Sequence, residues 1–333
     1  MTASAATGPD LSDDHSDRRG GARAALQRRA LAPLRGWVVE VLRRGEGSTI
    51  DYAQPLDDPG LFGPDSATWR IHADFPGMMA GGLCALMLQT LHPLALSGVW
   101  DHSNFREDLL GRLRRTTAFV AATTFAPSDA ARAQIVRVRR LHRRVRGHAP
   151  DGRPYAASDP QLLTWVHLTE SWSFLAGYRA YNRAVPEALA DRYFAETRRI
   201  ATALGACRVP GSAAAVDRYF AELQPQLEFS ARSAEVLAVL DRARLPLPPA
   251  VAPLTRALFS GAGAALLPPW ARALMHRSGL RQQQDRAAAQ ALRRLAPLLR
   301  HALADGIAAQ SCRRVGRSPA LLRRWPTQPM ADG

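Results

Sequence analysis

A chain of 333 residues, 47% of them hydrophobic and with a formal net charge of +15, is long enough to bury a core that encloses a cofactor. Its basic residues are all arginine, and no zinc-finger, helix-turn-helix or RNA-stacking motif accompanies them, which argues against specific nucleic-acid binding and leaves a basic surface able to meet anionic lipid. The cysteines Cys84, Cys207 and Cys312 are widely spaced and form neither a zinc nor a haem-attachment pattern, so a disulfide scaffold and covalently attached haem are excluded.

Ala/Leu/Arg-rich stretches with few alternating β-branched runs predict an all-α fold, a single large domain of roughly ten or more helices around a buried cofactor pocket. Residues 1–30 are polar, lack an apolar core and read as a disordered leader, which points to the cytoplasm or a membrane surface; the helical domain is expected over 31–315 and a loosely ordered tail over 316–333. A first helix is expected over residues 22–44, then a surface loop rich in Asp, Pro and Gly over 45–68. Residues 78–100 carry no formal charge and could span a bilayer by length, but Gln89, His92 and Pro93 interrupt them and Gly81-Gly82 suits close helix packing. A buried core helix ending near Pro93 is the expectation.

A helix over 107–124 follows, with Leu109, Leu113, Thr116 and Val120 on one stripe, and Ser128 is placed to cap the next. That helix, over 129–146, sets Ala131, Ile135, Val138, His142 and Val145 at helical spacing opposite a face of arginines, so His142 should point into a dry interior. Turn chemistry over 147–157 leads to a capping-box spacing, Ser158 with Gln161, and a long helix to Tyr181 on which Leu163, His167, Glu170, Phe174 and Tyr178 share a face. Two copies of the hexapeptide DRYFAE, at 191–196 and 217–222, read as similar helix surfaces. Beyond Pro246, Pro-rich breaks alternate with helices to about Asp305, and the end reads as frayed.

Of the histidines, His92, His142 and His167 fall in segments expected to be buried, and His102 in the turn after the apolar helix. A lone buried histidine is more often a hydrogen-bonded core residue than a ligand, but neutral imidazole on a rigid helix is also the commonest protein ligand of haem iron. A di-iron carboxylate site needs more buried acids than the single pair His167 and Glu170 supplies, and zinc-protease, serine-elbow and nucleotide-loop motifs are absent.

Several short motifs, in order over residues 69–205, resemble the MpaB-type and rubber-oxygenase (latex-clearing protein) catalytic domain family. They are Leu91-His92-Pro93, Asp101-His102-Ser103, Arg112-Leu113-Arg114-Arg115-Thr116, Val138-Arg139-Arg140-Leu141-His142, Val145-Arg146-Gly147, Asp151-Gly152-Arg153-Pro154-Tyr155 and Trp165-Val166-His167. The resemblance implies a haem-b-dependent oxygenase (iron protoporphyrin IX) acting with dioxygen on a small lipophilic, isoprenoid-like or unsaturated substrate. It makes His142 the iron ligand, His167 the second choice for that role, and Arg112, Arg115 and Thr116 a polar cluster facing the cofactor, with Arg112 and Thr116 catalytic. Where rubber enzymes carry an iron-binding lysine this chain has Arg115, whose guanidinium offers no lone pair, and no residue matches their catalytic acid. The alternatives are a non-enzymatic haem-binding or haem-sensing protein, and an Arg-rich protein that binds nucleic acid or membrane.

Overall fold

A computed structural model describes residues 50–325 apart from 246; the expected leader and the helix over 22–44 lie outside these residues. The described residues form thirteen α-helices and one two-stranded hairpin, so the all-α expectation holds. In chain order the helices are α1 (Ala67–His72), α2 (Phe75–Gln89), α3 (Pro93–His102), α4 (Leu109–Phe125) and α5 (Ser128–His142). After the hairpin β1 (Arg146–His148) and β2 (Pro154–Ala156) come α6 (Pro160–Tyr181), α7 (Glu187–Leu204), α8 (Ala213–Leu223) and α9 (Ala231–Arg242). Helices α10 (Ala252–Ala265), α11 (Pro269–Leu274), α12 (Gly279–Ala302) and α13 (Ile307–Arg314) complete the set.

The uncharged α2 is the centre of the molecule, packed on α6 along one side and on α10 and α12 along the other. Its glycines permit the close crossing: a Cβ on Gly81 would lie 2.6 Å from the Ser173 carbonyl oxygen, whereas one on Gly82 would meet only the Phe174 ring edge at 3.8 Å. Only half of the Gly81-Gly82 pair therefore serves the packing. The Asp74 side chain caps α2, accepting from Gly77 N, and is itself held by Asn182 and Arg300. The helix ends at Gln89; after a break at 90–92 the chain restarts at Pro93 as α3, bent by 103° from α2. No single helix among the described residues is long and apolar enough to cross a membrane.

Several local expectations shift when distant residues compete. Asp159, not Ser158, caps α6, accepting from Gln161 N at 2.7 Å and Leu162 N at 3.2 Å. Ser128 is the first residue of α5 and not its cap: the Asp58 carboxylate takes both its backbone N–H and its hydroxyl, at 2.9 and 2.8 Å. The expected turn over 147–157 is the hairpin, in register Gly147 opposite Tyr155. Helix α13 closes the expected helical domain: buried Arg314 donates to the carbonyls of Tyr52, Asp58 and Phe125, tying this region to the first described loop and to the end of α4.

Candidate active site

A cluster of polar side chains lies in the interior where α1, α4, α6 and α7 meet. Helix α1 is anchored by Glu196 of α7, which accepts from the Ala67 and Thr68 backbone N–H groups and from the Thr68 hydroxyl at 2.7–3.2 Å. That anchor delivers His72, the last residue of α1, between α4 and α7. Its Nδ1 lies 2.8 Å from Thr124 Oγ1 and its Nε2 2.9 Å from the Tyr193 hydroxyl. The Thr124 hydroxyl already donates to the Val120 carbonyl at 2.7 Å, so it can only accept from His72. The ring therefore carries its proton on Nδ1, and Nε2 accepts from Tyr193.

Facing this triad across a cavity of about 40 Å³ stand His167 and Glu170 of α6, with Thr123, Ser171, Phe174 and Thr197 completing much of the wall. Of the face expected on α6, His167, Glu170 and Phe174 line this cavity, whereas Tyr178 packs on Trp325. His167 and Glu170 are walled in by protein yet keep some accessible surface, because that surface faces the cavity. Burial pushes the His72 and His167 imidazoles down to about 3 and about 4, so both are neutral at physiological pH. Burial raises the Glu170 carboxyl to about 7, against a smaller opposing effect of the Gln89 amide. The cavity thus joins a carboxyl group that exchanges its proton near neutrality to a neutral imidazole with no hydrogen-bond partner among the described residues. Its volume suits one or two water-sized molecules, whereas sites for organic ligands occupy roughly 300–1,000 Å³. A porphyrin does not fit beside His167 in this cavity. A larger recess of about 390 Å³ on the far side of α6, lined by Trp172, Leu175, Arg179, Phe194, Asp217 and Leu266 among others, contains no histidine.

The other residues expected to hold the cofactor lie elsewhere, on α4 and at the last turn of α5. Arg112, on the first turn of α4, donates to Ser103 Oγ at 3.2 Å; burial, with the neighbouring Arg115, lowers its guanidinium to about 10, still charged at neutral pH. The preceding residue, His102, meets the Arg146 carbonyl at 3.2 Å, four positions beyond His142. Arg112 and the first residue of β1 are thereby tied to consecutive residues of one segment. Arg115 is exposed and pairs with Asp108 at 3.6 Å, and Thr116 is exposed with its hydroxyl on the Arg112 carbonyl. The four-residue stripe expected on α4 is buried at Leu109, half-buried at Leu113 and Val120, and open at Thr116.

His142 is half-buried at the last turn of α5. Burial along this helix falls from Ala131 and Ile135 to Val138 and His142, so the expectation of a ring enclosed in a dry interior is corrected: the ring sits at the margin of the packed region. Its donor chemistry nevertheless fits an iron porphyrin. Desolvation holds the imidazole neutral at physiological pH, and its buried Nδ1 has no hydrogen-bond partner among the described residues. His92, also expected to be buried, is committed to structure, capping α3 through Nδ1 and packing on Trp165. The sequence did not mark His72 as buried; its only local signal is the apolar flank Trp69 and Ile71.

Residues 69–301 match the model of the family described as ER-bound oxygenase mpaB/B'/Rubber oxygenase, catalytic domain. The chain belongs to this family. The mpaB/rubber oxygenase match begins in α1 and runs into α12, past the 69–205 segment that carries the motif resemblance, and it includes both the His72–Glu170 cavity and the Arg112–His142 region. No curated protein and no solved structure matches the chain. Among the described residues, no cluster of His, Cys, Asp and Glu is arranged to hold a bare metal ion.

Proposed function

We propose that this mpaB/rubber oxygenase domain binds haem b through His142 and acts with dioxygen on a small lipophilic substrate, isoprenoid-like or unsaturated. The observation that carries the reading is the His142 imidazole at the last turn of α5, kept neutral by desolvation and with its Nδ1 uncommitted among the described residues; four positions further on, the Arg146 carbonyl meets His102, the neighbour of the Ser103 that holds Arg112. Bound haem would supply the dioxygen chemistry that protein side chains lack. Arg112 would present a fixed positive charge, held by Ser103, to propionate or to negative charge that develops during turnover. Arg115 and Thr116, on the same open face of α4, would contact the cofactor edge, and Arg115 cannot ligate iron in a lysine's place. Inside, Glu170 would hold and release a proton at its carboxyl oxygen while Thr124, able only to accept, fixes the His72 tautomer.

Protein expressed with haem supply should show a Soret band that shifts with CO after reduction. His142→Ala should abolish the band while leaving the helical circular dichroism intact, and His167→Ala should retain it. Colourless protein without iron, or loss of haem only on replacement of His167, would overturn the assignment.

A further inference from the structure

The outer face of α5 and the turn after it form a concentrated positive surface. Between Asp129 and Asp151 the chain has seven arginines and no acidic residue, and all seven (132, 137, 139, 140, 143, 144 and 146) are exposed. Arg132 meets Asp129 at 3.4 Å, whereas the side chains of Arg139, Arg140, Arg143 and Arg144 have no ion-pair or hydrogen-bond partner among the described residues. Two large apolar side chains stand among these charges: Val136 is 62% exposed and Leu141 50%. The opposite face of the helix, through Ala131 and Ile135, is buried, so the exposed face has a fixed orientation.

We infer that this face of α5 docks on an anionic lipid surface. Unpaired arginines complement phosphate headgroups, and apolar side chains exposed between them gain by leaving water for the acyl boundary, a gain that a nucleic-acid phosphate backbone does not offer. The face also lacks an aromatic side chain on which a base could stack. The inference rests on charge and exposure and does not need haem at His142. Docking would bring the helix that bears His142 against the phase in which lipophilic molecules collect.

The test is co-sedimentation of the full chain with vesicles of phosphatidylcholine alone and of equal parts phosphatidylcholine and phosphatidylglycerol. Binding is expected only to the latter. Replacing Arg139, Arg140 and Arg144 together by Gln should weaken it by the order of a hundredfold, from about fivefold per arginine near the surface. Val136→Ser should weaken it a few-fold. A control with the same charge change elsewhere, Arg244, Arg286 and Arg294 replaced by Gln, should weaken it far less. Circular dichroism checks that each variant is folded. Equal binding to both vesicles, equal losses in the two triple variants, or salt-sensitive retention on duplex DNA with no vesicle binding would each overturn the inference.

Discussion

Replacing Glu170 by Gln tests whether the cavity carboxyl is held protonated by its surroundings. Its ordinary value of 4.5 is raised to about 7, chiefly by burial. At about 1.4 kcal/mol per pH unit, that gap makes the folded carboxylate about 3 kcal/mol less favourable than the unfolded one. The sign follows from proton binding. Between 4.5 and about 7 the folded chain keeps the proton and the unfolded chain has lost it, so Glu170's contribution is intact below 4.5 and is lost as pH rises through about 7. Gln imitates the protonated acid at every pH. Against wild type, Glu170→Gln should therefore gain stability progressively over this window, reaching about 3 kcal/mol above neutrality and gaining nothing at the acid end. Paired urea denaturation curves at the two ends of the window measure this, and groups common to both chains cancel. A difference that is the same at both ends would show Glu170 titrating as an ordinary surface acid, and the account of the cavity would fail.

The neutral histidines act in the opposite direction. With the imidazoles lowered to about 3 at His72 and about 4 at His92 and His167, the unfolded chain takes up protons that the folded chain refuses, so stability is full above 6.5 and is lost as pH falls toward these values. Acid titration by circular dichroism should show His167→Gln unfolding at lower pH than wild type, and an unchanged midpoint would contradict the burial of this ring. Tyr193→Phe leaves the buried His72 Nε2 without its donor and should cost about 1–3 kcal/mol by urea denaturation, a loss that a shape-only role for the tyrosine would not give. Gly81→Ala should destabilise by more than about 1 kcal/mol because its methyl meets the Ser173 carbonyl, while Gly82→Ala should be neutral or gain up to about 1 kcal/mol of helix propensity, and thermal melts would reveal any reversal of that order.

What could be read from the sequence was what periodicity encodes. Helix α5 was legible because Ala131, Ile135, Val138 and His142 recur at helical spacing opposite a face rich in arginine, and the inward face of α6 because His167, Glu170 and Phe174 recur in the same way. Periodicity gives the direction of a side chain and not the depth of what lies there. His142 points toward the packed side of α5, but the packing itself thins before the helix ends. Helix α1 was invisible for a related reason: six residues are under two turns, too few for a pattern. The burial of His72 is decided by Thr124 and Tyr193, which lie 52 and 121 positions away.

The repeated hexapeptide DRYFAE isolates this limit. Both copies are helical and both bury the phenylalanine, Phe194 and Phe220, so secondary structure and the main apolar contact follow the local sequence. Their polar residues part company. In α7, Tyr193 is buried against His72, and Glu196, paired with Arg192, anchors α1; in α8, Tyr219 is half-buried and Glu222 exposed. The identical side chains differ only in whether backbone N–H groups and an imidazole arrive from elsewhere to meet them. A buried carboxylate needs such partners, so the residues that build the cavity are selected by the helices packed around them and not by their neighbours in the chain.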